Sequence, residues 1–268
     1  MLIAQLSDLH ILAEGKKAYG RVDTAKNLAF CIDTINKRDP LPDVVLITGD
    51  ITGNGKLEDL ECAASYLQKL LMPYLVVPGN HDDPSHFAQV FSKPGCPLEH
   101  RKFVNYIIDD YPIRFIALDS TSVGQSGGEL CSERLAWLEQ ALDSDKEKPT
   151  IIFMHHPPVK CGVLETDEDG FIGADLLGEL VEKYNNIERI LCGHIHLTAH
   201  IHWRGTVVST ARSMGLGLVL DLTKKEASQF YANAPGYMFH YWTPEKNLVT
   251  YSILPDANSK KHYFEQPF

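Results

Sequence analysis

The sequence predicts an α/β sandwich, and three observations carry that prediction. Up to about residue 200, short apolar runs alternate with amphipathic segments of helical period, the pattern of a parallel sheet covered by helices. Beyond that point the helical period vanishes and short strand-like runs succeed one another, which suggests a second sheet packed against the first. The chain has 268 residues, 44% of them apolar, enough to bury a full core. No Ser/Gly linker or internal repeat divides it. We therefore expect a single domain over residues 1–268: a βα core over 1–200 that would carry a metal site, and a strand-rich part over 201–268 that completes the second sheet.

Each element has its own local signal. Met1 to Leu6 reads as a buried strand. From Asp23 to Lys37, Ala25, Leu28, Ile32 and Ile35 recur at helical spacing. Pro40 and Pro42 stop that helix, and Asp43 to Thr48 is a second strand rich in β-branched residues. Leu57 to Leu71 is helical, with Leu57, Leu60, Ala64, Leu67 and Leu71 on one face; Pro73 ends it, and Tyr74 to Val77 is a third strand. Val104 to Ile108 and Arg114 to Leu118 read as an antiparallel pair joined through Asp109 to Pro112. Ser132 to Leu142 and Gly173 to Tyr184 are helices; Thr150 to Met154 and Ile187 to Cys192 are strands. Short strands are then expected over Thr206–Thr210, Gly217–Leu222, Gln229–Ala232, Tyr237–Trp242 and Leu248–Leu254, with a loosely ordered or partner-contacting tail from Asn258 to Phe268.

Composition excludes several classes. A formal net charge of −10 and a pI near 5.6 argue against a dedicated nucleic-acid binder, which carries a basic face. No apolar run approaches the ~18 residues of a membrane helix, and no basic region precedes the apolar N-terminal stretch as in a signal peptide. A cytoplasmic protein with no membrane partner is expected. The six cysteines, Cys31, Cys62, Cys96, Cys131, Cys161 and Cys192, are spread without a CxxC and read as free thiols.

The decisive feature lies at the carboxyl ends of the strands. Ser7-Asp8-Leu9-His10 closes the first, Gly49-Asp50 the second and Pro78-Gly79-Asn80-His81-Asp82 the third; His155-His156-Pro157-Pro158 and Gly193-His194-Ile195-His196 close two later strands. Ligands of open α/β sheets bind beyond these ends, and each of them carries an oxygen or nitrogen donor. Alone, Asp-x-His or His-x-His is expected about once or less in a shuffled chain, whereas Gly-Asn-His-Asp is expected only ~0.002 times. Single Asp and Asn residues at such places are commonly loop or cap residues. Five donor-bearing strand ends in order are more specific than any one of them.

The donors are Asp8, His10, Asp50, Asn80, His155, His194 and His196. Two carboxylates, one amide oxygen and four imidazoles exceed the needs of one ion, but two divalent ions could share them. Imidazole with carboxylate suits Fe, Mn, Zn or Co, and a donor set without Cys argues against a structural zinc. Asp50 could bridge the ions about 3.5–4 Å apart, the separation of two-metal hydrolases. Such a site attracts phosphate although the whole chain is acidic, and its ions would supply a hydroxide for in-line attack on phosphorus. His81, directly after Asn80, is the candidate to help the departing oxygen; Asp50 and His81 are thus the catalytic candidates.

These motifs resemble the calcineurin-like metallophosphoesterases. The resemblance runs from Met1 to about Leu254 and rests on Asp8-x-His10, Gly49-Asp50, Gly79-Asn80-His81-Asp82, His155 and Gly193-His194-x-His196. Tyr19-Gly20-x-x-Asp23, the stretch Phe153 to Pro158 and the motif spacing bring it nearest the bacterial class III cyclic nucleotide phosphodiesterases and glycerophosphodiesterases. The resemblance implies a four-layer αββα sandwich with two mixed β-sheets flanked by helices. It implies one ion on Asp8, His10, Asp50 and His196, a second on Asp50, Asn80, His155 and His194, and a substrate-contacting, proton-donating role for His81.

Other polar residues receive plainer readings. His156 would point away from its neighbour His155 along an extended backbone and support or pack. His200 and His202 read as surface or cross-strand histidines, Asp82 and Asp83 as helix-starting carboxylates ahead of Pro84, with Asp82 also placed to orient His81. Asn54 fits a Gly-Asn-Gly turn. The long loop from Lys160 to Ile172 comes directly after a donor-bearing strand and would wall the site, its acids opposing polyanions.

The expected function is hydrolysis of a small phosphodiester, either a cyclic nucleotide or a glycerophosphodiester. A phosphomonoesterase on the same site comes second, then a non-catalytic metal-binding scaffold. A nuclease is disfavoured by the charge and by the lack of a basic, aromatic-bearing stretch. A homodimer is the default oligomer.

Overall fold

The computed structural model describes residues 1–92, 96–97, 102–223, 228–256, 258 and 262. Its elements run β1 (Leu2–Leu6), α1 (Thr24–Asn36), β2 (Val44–Thr48), α2 (Leu57–Leu67), β3 (Tyr74–Val77), α3 (Pro84–Phe91), β4 (Tyr106–Ile108), β5 (Arg114–Ala117), β6 (Gly128–Glu129) and α4 (Ser132–Asp143). Then come β7 (Thr150–Phe153), α5 (Leu164–Asp169), β8 (Phe171–Ile172), α6 (Ala174–Val181), β9 (Ile187–Cys192), β10 (Ala199–Trp203), β11 (Thr206–Thr210), β12 (Leu216–Leu218), β13 (Phe230–Ala232), β14 (Tyr237–Trp242) and β15 (Leu248–Ile253). No helix of the described residues is long and apolar enough to cross a membrane.

Two sheets form the centre. One has the order β15-β14-β1-β2-β3, the other β10-β11-β9-β7-β5-β4. Strands β1, β2 and β3 run parallel, as do β5, β7, β9 and β11; β4 pairs antiparallel with β5, as the turn through Asp109–Pro112 suggests. Burial alternation shows four layers. In β7, Ile151 and Phe153 join the core of the first sheet while Ile152 joins a second core with Leu138, Leu142, Leu177 and Val181 of α4 and α6. In β5, Phe115 and Ala117 turn one way and Ile116 the other. The first sheet is covered on its far side by α1, α2 and α3 through Leu28, Ile32, Leu60, Leu67 and Phe87. The inner parts of both sheets are therefore covered on both faces, which is why strands such as β2, β3 and β7 read as continuous apolar runs, whereas the edge strands β10 and β15 are partly exposed.

The helix starts have local causes. Asp23 accepts the Lys26 amide at 3.0 Å and caps α1. Asp83 accepts the amides of Ser85 and His86 while Pro84 occupies the first turn of α3, the arrangement such residues favour.

Several elements differ from expectation. The C-terminal strands divide between the sheets rather than completing the second one: β14 pairs antiparallel with β1 and carries β15, while β10 and β11 extend the second sheet. Short runs of this kind do not encode which open edge they will fill. The run expected over Gly217–Leu222 shortens to β12, which pairs only with β13 in a separate ribbon. β10 is an unforeseen strand in which His200 and His202 sit opposite Ser209 and Val207. The expected loop over Lys160–Ile172 contains α5 and β8. Most of the tail from Asn258 onward lies outside the described residues.

A chain of buried polar groups crosses between the sheets behind the strand ends. Gln5 of β1 donates to Thr48 Oγ1 and to the Cys192 carbonyl of β9, each at 3.0 Å. Its Oε1 accepts from His240 Nε2 at 3.0 Å, and His240 Nδ1 meets Thr250 Oγ1 at 2.8 Å. Arg189 of β9 donates to that same hydroxyl at 2.8 Å. An acceptor on Nε2 places the proton there, so Nδ1 accepts and the imidazole is neutral. Burial, with Arg189 nearby, pushes His240 down to about 3. The unfolded chain, with an ordinary histidine near 6.5, then binds a proton that the folded one refuses, so stability is held above pH 6.5 and lost toward pH 3. In urea titrations of the metal-free protein, His240→Gln should reduce the dependence of unfolding free energy on pH between 6.5 and 4 by up to about 1.4 kcal/mol per pH unit. An unchanged slope would contradict the neutral assignment.

Candidate metal centre

The five donor-bearing strand ends belong to both sheets and meet where their carboxyl edges face each other. The segment after β1 runs beside the one after β2: Asp8 N–H donates to the Gly49 carbonyl at 3.1 Å and His10 N–H to the Asp50 carbonyl at 3.0 Å. The second sheet docks onto these loops. His155 Nδ1 donates to the Thr48 carbonyl at 2.8 Å, and His194 N–H donates to Asp8 Oδ1 at 3.0 Å. Such approach leaves no room for a β-carbon at three glycines, of which Gly49 would collide with the His155 side chain. A methyl on Gly79 would collide with the Asp50 carboxylate, and one on Gly193 with Ser7 Oγ and with Asp8 Oδ2, the latter at 2.8 Å.

Asp8, His10, Asp50, His194 and His196 all adopt positive φ, from 45° to 69°, among only nine non-glycine residues that do so in the described chain. Left-handed backbone is costly outside glycine, by roughly 1 kcal/mol or more per residue. Its concentration on these five marks a geometry that the surrounding fold imposes. Thr24, at the start of α1, donates its hydroxyl to the His10 carbonyl at 2.9 Å and helps hold one of these turns.

The side chains form two groups around one atom. Asp8, His10, Asp50 and His196 each bring a ligand atom within 4.8 Å of the others. His10 Nε2 lies 2.9 Å from His196 Nε2, and His196 Nε2 lies 3.5 Å from Asp8 Oδ1. The second group is built on His155, whose Nε2 lies 3.1 Å from Asn80 Oδ1 and whose ring centroid is 5.1 Å from that of His194. Asp50 Oδ2 sits between the groups, 3.6 Å from His10 Nε2 and 3.4 Å from His155 Nε2. Its other oxygen accepts the His81 amide at 3.0 Å.

His156 also lies near His155 and His194, but both of its ring nitrogens are taken. Nε2 donates to the Ser126 carbonyl at 3.1 Å, and Nδ1 lies 2.9 Å from Ser120 Oγ. It supports the site by packing, but not by pointing away from His155 as the extended backbone suggests: its ring lies 4.7 Å from that of His155 and 4.6 Å from that of His194. In contrast, the donor imidazoles use their back nitrogens. His155 Nδ1 is held by Thr48, and His196 Nδ1 donates to the Leu216 carbonyl of β12 at 2.7 Å. This fixes the tautomers that present Nε2 lone pairs inward, as metal-binding histidines require.

The electrostatics ask for cations. Asp8 and Asp50 are 0% and 2% exposed, and Asp8 Oδ2 is buried without any hydrogen-bond partner. An orphaned carboxylate oxygen is expensive in protein alone. Burial raises the Asp8 carboxyl despite His196 and His155. Burial opposes ionisation of Asp50 too, but His155, His10 and His81 outweigh it and hold Asp50 well below the ordinary carboxylate range. Burial pushes His10 well down, and burial with His155 pushes His194 to about 3. His155 goes the other way: burial lowers it, but Asp50 and Asp8 raise it to about 9, so a cation there would take the place of its proton. The neutral imidazoles of His10 and His194 and the ionised Asp50 are the states that bind divalent metals. The residues present therefore fit the ions that the donor pattern implies.

Asp82 corrects an expectation. It does not start α3, which Asp83 does, and it makes no hydrogen bond to His81, whose Nδ1 instead meets the Gly53 carbonyl at 3.1 Å. Asp82 accepts the amides of Ile51, Thr52 and Gly79 at 2.9 to 3.0 Å and so ties the turn bearing Asp50 to the turn bearing Asn80. Burial and Asp50 push it up to about 6. Nothing in the local sequence separates this role from a cap. Asn54 is exposed in its turn, and Ser120, which orients His156, was not legible as a site residue at all. Asp82→Ala should destabilise the protein by about 3 kcal/mol or more, since three buried amides lose their acceptor; denaturant midpoints measure this, and a loss below ~1 kcal/mol would reassign Asp82 to a surface cap.

Comparison with known proteins agrees with this geometry. A family model described as calcineurin-like phosphoesterase matches residues 1–197. A protein of Arcobacter nitrofigilis named "Probable glycerophosphodiester phosphodiesterase GpdQ" is 39% identical over 94% of this chain and 92% of its own length. The glycerophosphodiester phosphodiesterase GpdQ of Enterobacter lignolyticus is 34% identical over 78% and 76%, and the 3′,5′-cyclic adenosine monophosphate phosphodiesterase CpdA of Escherichia coli 27% over 76% and 72%. In fold, the chain is similar to a dimetal phosphatase from Danio rerio and to GAP50, titled as the anchor in the inner membrane complex of Plasmodium. Both have a TM-score of 0.64 at 15% identity; the first match covers 93% of this chain and 98% of the other, the second 97% and 90%. With the family model covering most of the chain and relatives of this identity along nearly all of it, the chain belongs to the calcineurin-like phosphoesterase family.

Proposed function

We propose that this chain is a binuclear metal-dependent phosphodiesterase acting on a small phosphodiester, of the cyclic nucleotide or glycerophosphodiester class. The observation that carries the reading is Asp50 Oδ2, one carboxylate atom within 3.6 Å of donors from both groups. The names of the relatives support the same substrate classes.

Asp8, His10, Asp50 and His196 would hold one ion, and Asp50, Asn80, His155 and His194 the other. Fe, Mn, Zn or Co suits these imidazole and oxygen donors. When bound, such ions offset the charge of a phosphoryl group and lower the pKa of a water to near neutrality. The protein's own groups do the rest. Asp50 keeps its charge through the imidazoles around it, and His81 is fixed at two points, its amide on Asp50 and its Nδ1 on the Gly53 carbonyl. In the imidazolium form, Nε2 of His81 is then the atom able to pass a proton to a departing alkoxide, half-buried beside His10 with ring centroids 4.9 Å apart. A net charge of −10 does not oppose a small anion, because remote charges are screened beyond about 8 Å. A non-catalytic scaffold fits less well, since the chain retains every donor of the pattern.

Metal-loaded protein should turn over bis(p-nitrophenyl) phosphate faster than p-nitrophenyl phosphate and lose both activities to a chelator. Faster turnover of the monoester would make it a phosphomonoesterase, and inactivity on a broad phosphoester panel would favour the scaffold. His81→Ala should slow diesters with alkyl leaving groups by about 10²-fold or more and nitrophenyl esters much less, because protonation matters only for a basic departing oxygen. A uniform loss across leaving groups would assign His81 to positioning.

A further inference from the structure

The outer edges of the two sheets are treated unequally. An open strand edge offers unpaired backbone groups to any other strand, and folds blunt it with short strands, charges, proline, bulges or a cover. Tyr106 reaches β3 and donates its hydroxyl to the Val76 carbonyl at 2.7 Å. β4 has only three residues, and β10 carries His200 and His202 and ends beside Arg204. β15 has none of these devices. Its six residues, Leu248 to Ile253, include no charge, proline or glycine, and they hold one unbroken register with β14. Among the described residues, β14 is its only strand partner.

The hairpin between β14 and β15 sets which groups face outward. Thr243 N–H donates to the Asn247 carbonyl at 2.9 Å, and bonded pairs alternate from there along an antiparallel ladder. Val249, Tyr251 and Ile253 therefore bond to β14 opposite Tyr241, Phe239 and Tyr237. The amides and carbonyls of Leu248, Thr250 and Ser252 point away from it. Tyr251 and Leu254 are 52% and 58% exposed, which leaves apolar surface beside a bare edge.

We propose that this edge pairs antiparallel with the same edge of a second copy, about a two-fold axis at Tyr251, joining their five-stranded sheets into one. One register suits the sequence at every position. In it Tyr251 faces its own copy, Thr250 faces Ser252, Val249 faces Ile253, Leu248 faces Leu254 and Lys246 faces Asp256. The outward amides of Thr250 and Ser252 then meet each other's carbonyls, as the alternation requires. Aromatic, hydroxyl and aliphatic residues meet their like, and opposite charges meet, the pairings that stabilise neighbouring strands. Lys246 and Asp256 are the only charges between residues 246 and 256. A shift of two residues either way sets Lys246 against Leu254 or Asn258 and loses the ion pair. The occupant is a second copy because the strand is complementary to itself. Two chains of net charge −10 repel each other, and this span, with one charge of each sign, is locally neutral.

Sedimentation velocity of the full chain should show a concentration-dependent dimer, and hydrogen exchange should show the Thr250 and Ser252 amides slowing as it forms. Tyr251→Lys sets like charges against each other at the axis. Ser252→Pro removes the outward amide from both copies without touching the ladder to β14. Each should raise the dimer dissociation constant by about tenfold or more. Lys246→Asp and Asp256→Lys, both at exposed positions, should each weaken the dimer by about threefold or more, and the two together should restore it. This charge exchange decides the matter should Ser252→Pro fail to fold. A chain that stays monomeric up to about 0.1 mM overturns the proposal, as does a dimer indifferent to Tyr251→Lys or a double variant no tighter than the single ones. Thr250 and Ser252 amides that exchange slowly at every concentration would also overturn it, by showing the edge covered within its own chain.

Discussion

Two carboxylates removed from water govern this molecule. Asp8 and Asp50 lie at the junction of the sheets with almost no exposure, and burying an ionised carboxylate costs several kcal/mol unless opposite charge and hydrogen bonds offset it. Asp50 receives that compensation from three imidazoles and the His81 amide. Asp8 receives it on one oxygen only. The remaining demand is for positive charge, and the inward-facing Nε2 atoms define where it would sit.

The fold serves that constraint at several levels. Left-handed backbone at Asp8, His10, Asp50, His194 and His196 aims the donors back toward the junction. Glycines at 79 and 193 let carboxylates approach the opposing chain. Asp82 locks the turns after β2 and β3 together, and the carbonyls of Thr48 and Leu216 fix the histidine tautomers. Strain of this kind persists only where packing over-determines it. Two sheets covered on both faces at their centres, with the polar chain through Gln5 and His240, supply that rigidity.

The same fold hosts proteins titled as a phosphatase and as an anchor, so architecture does not decide chemistry. The donor set and the spaces around it do. Local and global charge also separate here: an acidic chain can present a phosphate-attracting centre, because the centre is defined by groups a few ångströms apart while the surface acids are screened. Among the acids of α5, Asp167 folds its own loop, while Glu165 lies near enough to His196 to interact with it.

The strands, the helices and the residue types that close each strand were legible in the chain alone, because they depend on apolar periodicity, proline breaks and short motifs spanning a few residues. Asp83 as a cap, His156 as a supporting side chain and the residue types of the seven candidate donors belong to this legible part. Which sheet each strand joins was settled only by packing, and with it the meeting of the donors between two sheets rather than along one. An apolar run carries no label for its neighbour, and the one specific mark on β14, His240, meets Gln5 of β1 only once the two strands have paired. The same holds for Asp82, Ser120 and Leu216, whose work is a hydrogen bond to chain that is distant in sequence or locally indistinguishable from a cap. Such bonds exist only once the sheets have docked, since a turn specifies its own shape but not the surface it will face.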